Sequence, residues 1–253
     1  MKVLFFSFPG FADCGLPMVK AMQNKGIDIT YIIFIIPALL FGIWAQISVQ
    51  SAFSKYSRVP SARGYTGAEV AKLLLEQNGI YDVTIRHISG SLTDNFNPRE
   101  KTLNLSDDVY NSTSVAAIGV AAHETGHAIQ HAVGYRPIKW REAIIPVTQL
   151  GSWAYFPIIL LGIVFSSQTL VNVGILLFAT IALFQLVTLP VEFNASNRAI
   201  ATLENNGILY GNEITGAKAV LRAAALTYVA ALVSSLAQLL RLLVIFGGRR
   251  NND

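Results

Sequence analysis

Between Glu142 and Glu192 lie 49 consecutive residues without an Asp, Glu, Lys, Arg or His. A helix crosses about 30 Å of hydrocarbon with roughly 20 apolar residues, its backbone hydrogen bonds satisfied internally. The uncharged run therefore predicts two crossings, a transmembrane hairpin over residues 143–191 turned at Ser166, Ser167, Gln168 and Thr169. Two further stretches fit a bilayer. Ile29–Ile47 has fifteen apolar positions of nineteen, Pro37 as a kink site, and Tyr31 and Trp44 as interfacial anchors. Residues 223–246 are uncharged through Leu240, with Arg241 close enough to the end to snorkel, and read as a transmembrane or interfacial helix. Composition agrees: 53% hydrophobic and 13% charged residues do not fit a water-soluble globule.

The charges set orientation and exclude one partner class. Residues 50–142 carry ten Lys or Arg and the hairpin turn carries none, which puts the segment 48–142 and the residues after Pro190 on the cytoplasmic side. Lys2, Lys20, Lys25, Arg249 and Arg250 oppose that orientation in a four-span chain. Net charge is only +4 and the basic residues form no stripe, so nucleic acid is not an expected partner. The single cysteine, Cys14, forms no internal disulfide or Cys-based zinc site. Residues 1–28 read as an extension, not a leader or lipidation signal: Pro9 and Gly10 break the apolar run, and Asp13 precedes the cysteine where processing needs small residues.

The segment 48–142 has a mixed α and β pattern. Thr66 and Glu69 form a capping-box signature ahead of a helix over 67–78, ended by Asn78 and Gly79. Alternation predicts strands at Val83–Ile88 and Lys101–Leu105, with Asn97 and Pro98 as turn residues between them. Asp107 and Asp108 follow Ser106 as at a helix start, and an Ala-rich helix runs over 114–132 until Gly134 and Pro137.

That last helix contains His123, Glu124, Thr125, Gly126 and His127. Histidines four apart project from one helical face, so both imidazoles can reach one zinc ion, and the adjacent Glu124 can deprotonate an activated water. Random placement of this composition yields only about 0.002 such matches. Zinc chemistry needs a third ligand. His131 drifts about 40° off the face and Asp107 has a helix-start explanation, whereas Glu192 is the first charge after the hairpin. A carboxylate there is costly near lipid unless paired or coordinated. Because two crossings return the chain to the same side, Glu192 and the His123 helix can meet.

AHETGHAIQHAVG at 122–134, LTDNFNPREKTLNLSDDVYN at 92–111, LVTLPVEFNASNRA at 186–199 and RAAALTYVAA at 222–231 keep their order along the chain. Over residues 29–247 the sequence resembles the YugP-like neutral zinc metallopeptidases, a bacterial multipass membrane family. The resemblance implies an α-helical multipass membrane protein with a small α+β zincin-like catalytic domain, of gluzincin type, in the plan of the membrane-embedded C-a-a-X and heat-shock metalloproteases. It also implies that the Glu opening an E-F-x-A-S segment, Glu192, is the third ligand beside His123 and His127. Two positions depart from the family pattern: Asn194 stands where aspartate is usual, and Asn95 where histidine is usual. Loss of a supporting carboxylate at Asn194 would reduce metal affinity or activity, since such partners are worth about 10- to 100-fold.

The expected enzyme is a membrane-bound zinc endopeptidase with one zinc ion and Glu124 as general base, acting on protein or peptide substrates at the inner membrane. Arg198, His87, Arg222 and Tyr228 are the candidates for stabilising the oxyanion, and Lys101–Leu105 is either an internal strand or one that pairs with substrate. A regulatory membrane protein is a further candidate partner. Two other classes stay open: a membrane-anchored zinc scaffold without proteolysis, and a transporter, for which the spans offer few charges.

Overall fold

The computed structural model describes residues 29–247. The expectations for residues 1–28, and for the opposing charges at Arg249 and Arg250, fall outside them. Among the described residues, four helices are long and apolar enough to cross a membrane: α1 (Tyr31–Tyr56), α4 (Arg136–Val164), α5 (Gln168–Asn205) and α6 (Asn212–Gly247). Between α1 and α4 lie α2 (Gly67–Gln77), the strands β1 (Thr84–His87), β2 (Asn95–Asn97) and β3 (Thr102–Leu105), and α3 (Val115–Ala132).

The helices overrun the spans expected from hydropathy, because apolarity marks contact with lipid and not the end of hydrogen bonding. α1 continues through Lys55 to Tyr56, and its first turn, Tyr31–Ile35, is a π-helix immediately before Pro37, which has no N–H to offer the carbonyl four residues back. The hairpin turn is shorter than expected: α4 ends at Val164, Ser166 takes a left-handed φ of 50°, and Ser167 caps α5 by accepting the Leu170 N–H. α5 then runs 38 residues, roughly 57 Å at 1.5 Å per residue, so Glu192 lies inside a continuous helix and not at the start of a new one. Arg241 does not snorkel. It is 9% exposed, with its guanidinium 4.7 Å from the centre of the Tyr31 ring of α1.

Between α1 and α4, the capping box forms as read: Thr66 accepts the Glu69 N–H, and Glu69 accepts the Thr66 N–H. The sheet order is β1-β3-β2, with β3 parallel to β1 and antiparallel to β2. β3 is thus the central strand, paired on both edges, and the reading of Lys101–Leu105 as a strand that accepts a substrate strand fails for want of a free edge. The short β2, which the turn reading at Asn97 missed, is an edge strand. Asp107 and Asp108 stand in a turn, not a helix start.

α3 is the central element. Residues 115–130 are all buried, packed against α2, α5, α6 and the sheet. Its apolar neighbours include Leu103 and Leu105 of β3, Leu75 of α2 and Val220 of α6. A helix wrapped on all sides can keep polar side chains only where they have partners, and the middle of α3 carries five: His123, Glu124, Thr125, whose hydroxyl donates to the Ala121 carbonyl, His127 and Gln130.

Candidate metal centre

His123 and His127 project from the same face of α3, their ring centroids 4.8 Å apart and nearly perpendicular. Glu192 comes from α5, which packs along α3. Its Oε2 lies 3.4 Å from His123 Nε2 and 3.6 Å from His127 Nε2. The three ligand atoms lie within 4.8 Å of one another, a group that can hold one metal ion. His123 and Glu192 are each 3% exposed, yet His123 Nε2 and Glu192 Oε2 are buried with no hydrogen-bond partner. Two such atoms, an imidazole nitrogen and a carboxylate oxygen facing each other in a buried site, are costly unless something bridges them. Two nitrogens and one oxygen suit zinc.

The surrounding hydrogen bonds fix which atoms face the group. Arg198 can only donate, and its Nε donates to Asn194 Oδ1 at 2.8 Å. Gln130 Nε2 donates to the same oxygen at 3.0 Å and to the Val191 carbonyl at 2.8 Å. The Gln130 amide oxygen is thereby turned toward His127, whose Nδ1 lies 3.0 Å away and must carry the proton. Its Nε2 is then left with a lone pair aimed at Glu192. Ser196, one turn after Glu192, lies 3.1 Å from His123 Nδ1 and serves the other imidazole in the same way. Burial pushes the His127 imidazole toward neutrality, but the Glu192 carboxylate outweighs it and holds the pKa above the ordinary value.

Glu124 is 3% exposed, and its Oε2 accepts the Phe96 backbone N–H of β2 at 3.1 Å. β2 is held from its other end by the buried Asp94, which accepts the Ser106 N–H and hydroxyl at 2.7 and 3.0 Å. Burial raises the Asp94 carboxyl above the usual range despite those bonds. Asn95 donates to the Thr93 carbonyl and accepts from Asn104 of β3, so its amide is engaged in the sheet.

The other sequence candidates separate. Tyr228 of α6 reaches the Glu192 carboxylate. Arg198 belongs to the network behind His127, with Asn194. Asn194 does not touch a histidine directly; its amide oxygen supplies the acceptor a carboxylate would supply. Arg222 is exposed. His87 stands on β1, two strands away from Glu124, where its Nε2 meets Asp107 Oδ1 at 2.7 Å and its ring tilts against Tyr110. The Gly90 N–H and His87 hold the Asp107 carboxyl below its ordinary pKa. His131 lies outside the metal group, 3.3 Å from Glu142 of α4. Sequence reasoning missed Gln130, Ser196 and Arg141. The first two were within reach, three residues after His127 and four after Glu192 on the same helical faces. Arg141, whose Nη1 donates to Glu192 Oε1 at 3.1 Å, gave no signal beyond its charge.

The comparisons with known proteins identify the family. Residues 31–247 match the family described as "Putative neutral zinc metallopeptidase". The chain is 45% identical over 223 residues, 88% of its length and 99% of the relative's, to the "Putative membrane protease YugP" of Bacillus subtilis (strain 168). No solved structure matches it significantly. The chain therefore belongs to this family of zinc metallopeptidases, with zinc as its cofactor and His123, His127 and Glu192 as a group that can hold the ion.

Proposed function

We propose that the protein is an integral-membrane zinc endopeptidase that hydrolyses peptide bonds of membrane-associated proteins or peptides near the bilayer surface. The segment 48–142, with α3, is its zincin-like catalytic part and faces the cytoplasm from the inner membrane; residues 192–222 contribute the third-ligand segment. The observation that carries the reading is Glu124: a buried carboxylate beside both histidines, outside the three-atom metal group, and aimed at the edge strand β2.

His123, His127 and Glu192 would hold zinc, which when bound acidifies water and polarises a peptide carbonyl. Glu124 would accept the proton of the attacking water and return it to the leaving nitrogen. Tyr228 reaches Glu192, which favours it over Arg198, His87 and Arg222 for a hydrogen bond to the developing oxyanion. β2 is the sheet edge beside Glu124, so an extended substrate would pair there and not on β3.

Glu124→Gln keeps the shape of the side chain and removes its basicity. Casein cleavage by the detergent-purified protein should fall by about 10²- to 10⁴-fold while zinc content stays at the wild-type level. Retained cleavage would remove Glu124 as the base. A zinc-loaded wild type that cleaves neither casein nor membrane-protein substrates would favour the second reading, a zinc-binding membrane scaffold.

A further inference from the structure

Glu192 has two oxygens in different surroundings. Oε2 faces His123 and His127 and has no hydrogen-bond partner, whereas Oε1 accepts from Arg141 Nη1 at 3.1 Å. The Glu192 side chain is 4% exposed and that of Arg141 28%, so the guanidinium reaches in from the rim. Its backbone position is fixed by neighbours in the first turns of α4. The Tyr135 hydroxyl donates to the Pro190 carbonyl of α5 at 3.5 Å, and Glu142 pairs with His131 of α3. The start of α4 is thereby tied to both helices that supply the metal group.

We propose that Arg141 is the positioning residue of the metal centre: by occupying Oε1 it fixes the Glu192 carboxylate so that Oε2 alone is offered to the ion. Two physical consequences follow. A carboxylate free to rotate can present either oxygen or both, and with both it takes a position that water needs. A buried carboxylate without a cation is also costly, and Arg141 supplies that cation before any metal arrives. Lysine does not replace it, because an ammonium on a shorter stem is a rotating point donor and not a planar fork.

This inference rests on the zinc-binding reading and is tested by metal binding, not by cleavage. Zinc affinity of the full-length detergent-purified protein is measured by competition with a chromophoric chelator, and coordination is read from the visible spectrum after Co²⁺ is added to the metal-free protein. Arg141→Gln should weaken zinc binding by about 10- to 100-fold and alter the cobalt spectrum. Arg141→Lys should fall between it and the wild type, and Glu124→Gln should leave affinity unchanged. Wild-type affinity and an unaltered cobalt spectrum in Arg141→Gln overturn the proposal. If that variant does not fold, the same pair of results in Arg141→Lys overturns it. A wild type that binds no zinc overturns the metal reading itself, a different outcome from equal binding by wild type and variant.

Discussion

At the scale of single residues, the centre depends on side chains that never touch the metal group's open face. Gln130 is fully buried and makes three contacts, to His127 Nδ1, the Val191 carbonyl and Asn194 Oδ1. Gln130→Leu preserves most of its volume but leaves His127 Nδ1 without its acceptor, while Asn194 Oδ1 keeps Arg198. The expected outcome is zinc affinity lower by about 10- to 100-fold and a folded state less stable by about 1–3 kcal/mol, measured by chelator competition and by urea unfolding in detergent. Unchanged affinity would mean that His127 keeps its tautomer without help. The sequence discloses ligands more readily than their supports. His123 and His127 announce themselves by a four-residue spacing that has one chemical use, and Glu192 by being a charge where lipid should forbid one. Gln130 and Ser196 are ordinary polar residues until the pairing of α3 with α5 is known. Arg141 joins the site from a third helix, and no local pattern in the chain encodes that approach.

At the scale of elements, the metal group exists because α3 and α5 come unusually close. A Cβ added to Gly126 would lie 2.8 Å from the Ala195 carbonyl oxygen and 3.3 Å from its Cα, contacts that backbone cannot relieve by rotating a side chain. Ala195 is one turn beyond Glu192, so any separation there also draws Glu192 from the histidines. Gly126→Ala should therefore cost about 1–3 kcal/mol in overpacking and reduce cleavage by about 10²-fold through misplacement, with zinc bound more weakly. Gly119→Ala is the matched control on the same helix: its Cβ would meet the Ala217 Cβ at 3.4 Å, and both zinc binding and activity should persist. Equal loss in both variants would point to a general effect on α3 and not to the α3–α5 approach. Elements set by local chemistry were legible, such as α2 with its capping box and α3 between Ser114 and Gly134. β2 was not, since Asn95 and Asn97 disfavour a strand and leave only Phe96 to signal one, and the segment is ordered by β3 on one side and Glu124 on the other.

At the scale of the whole molecule, the bilayer and the site divide the helices between them. The apolar windows of α1, α4, α5 and α6 are at most 33% buried within the protein, as expected of surfaces that face lipid, while α3 is enclosed. α4 and α5 extend past the apolar region on one side only, and those extra turns carry Arg141, Glu142 and Glu192 to the level of α3. In the proposed hairpin, the segment 48–142, its ten Lys or Arg and the metal group share one side, and the uncharged turn at Phe165–Ser167 lies on the other. Basic residues resist translocation, and the proposed orientation, with the metal side in the cytoplasm, rests on that rule. In a Cys14→Ser background, single cysteines at two exposed positions, Glu100→Cys before β3 and Ser166→Cys in the hairpin turn, report the two sides. A membrane-impermeant maleimide applied to spheroplasts should label the Ser166 position and leave the Glu100 position until the cells are lysed. The reverse pattern would place the peptidase site outside the cytoplasm and make its substrates exported proteins. Labelling of both positions in sealed spheroplasts would deny that α4 and α5 cross the bilayer as a hairpin, and with that the reason Glu192 returns to meet His123.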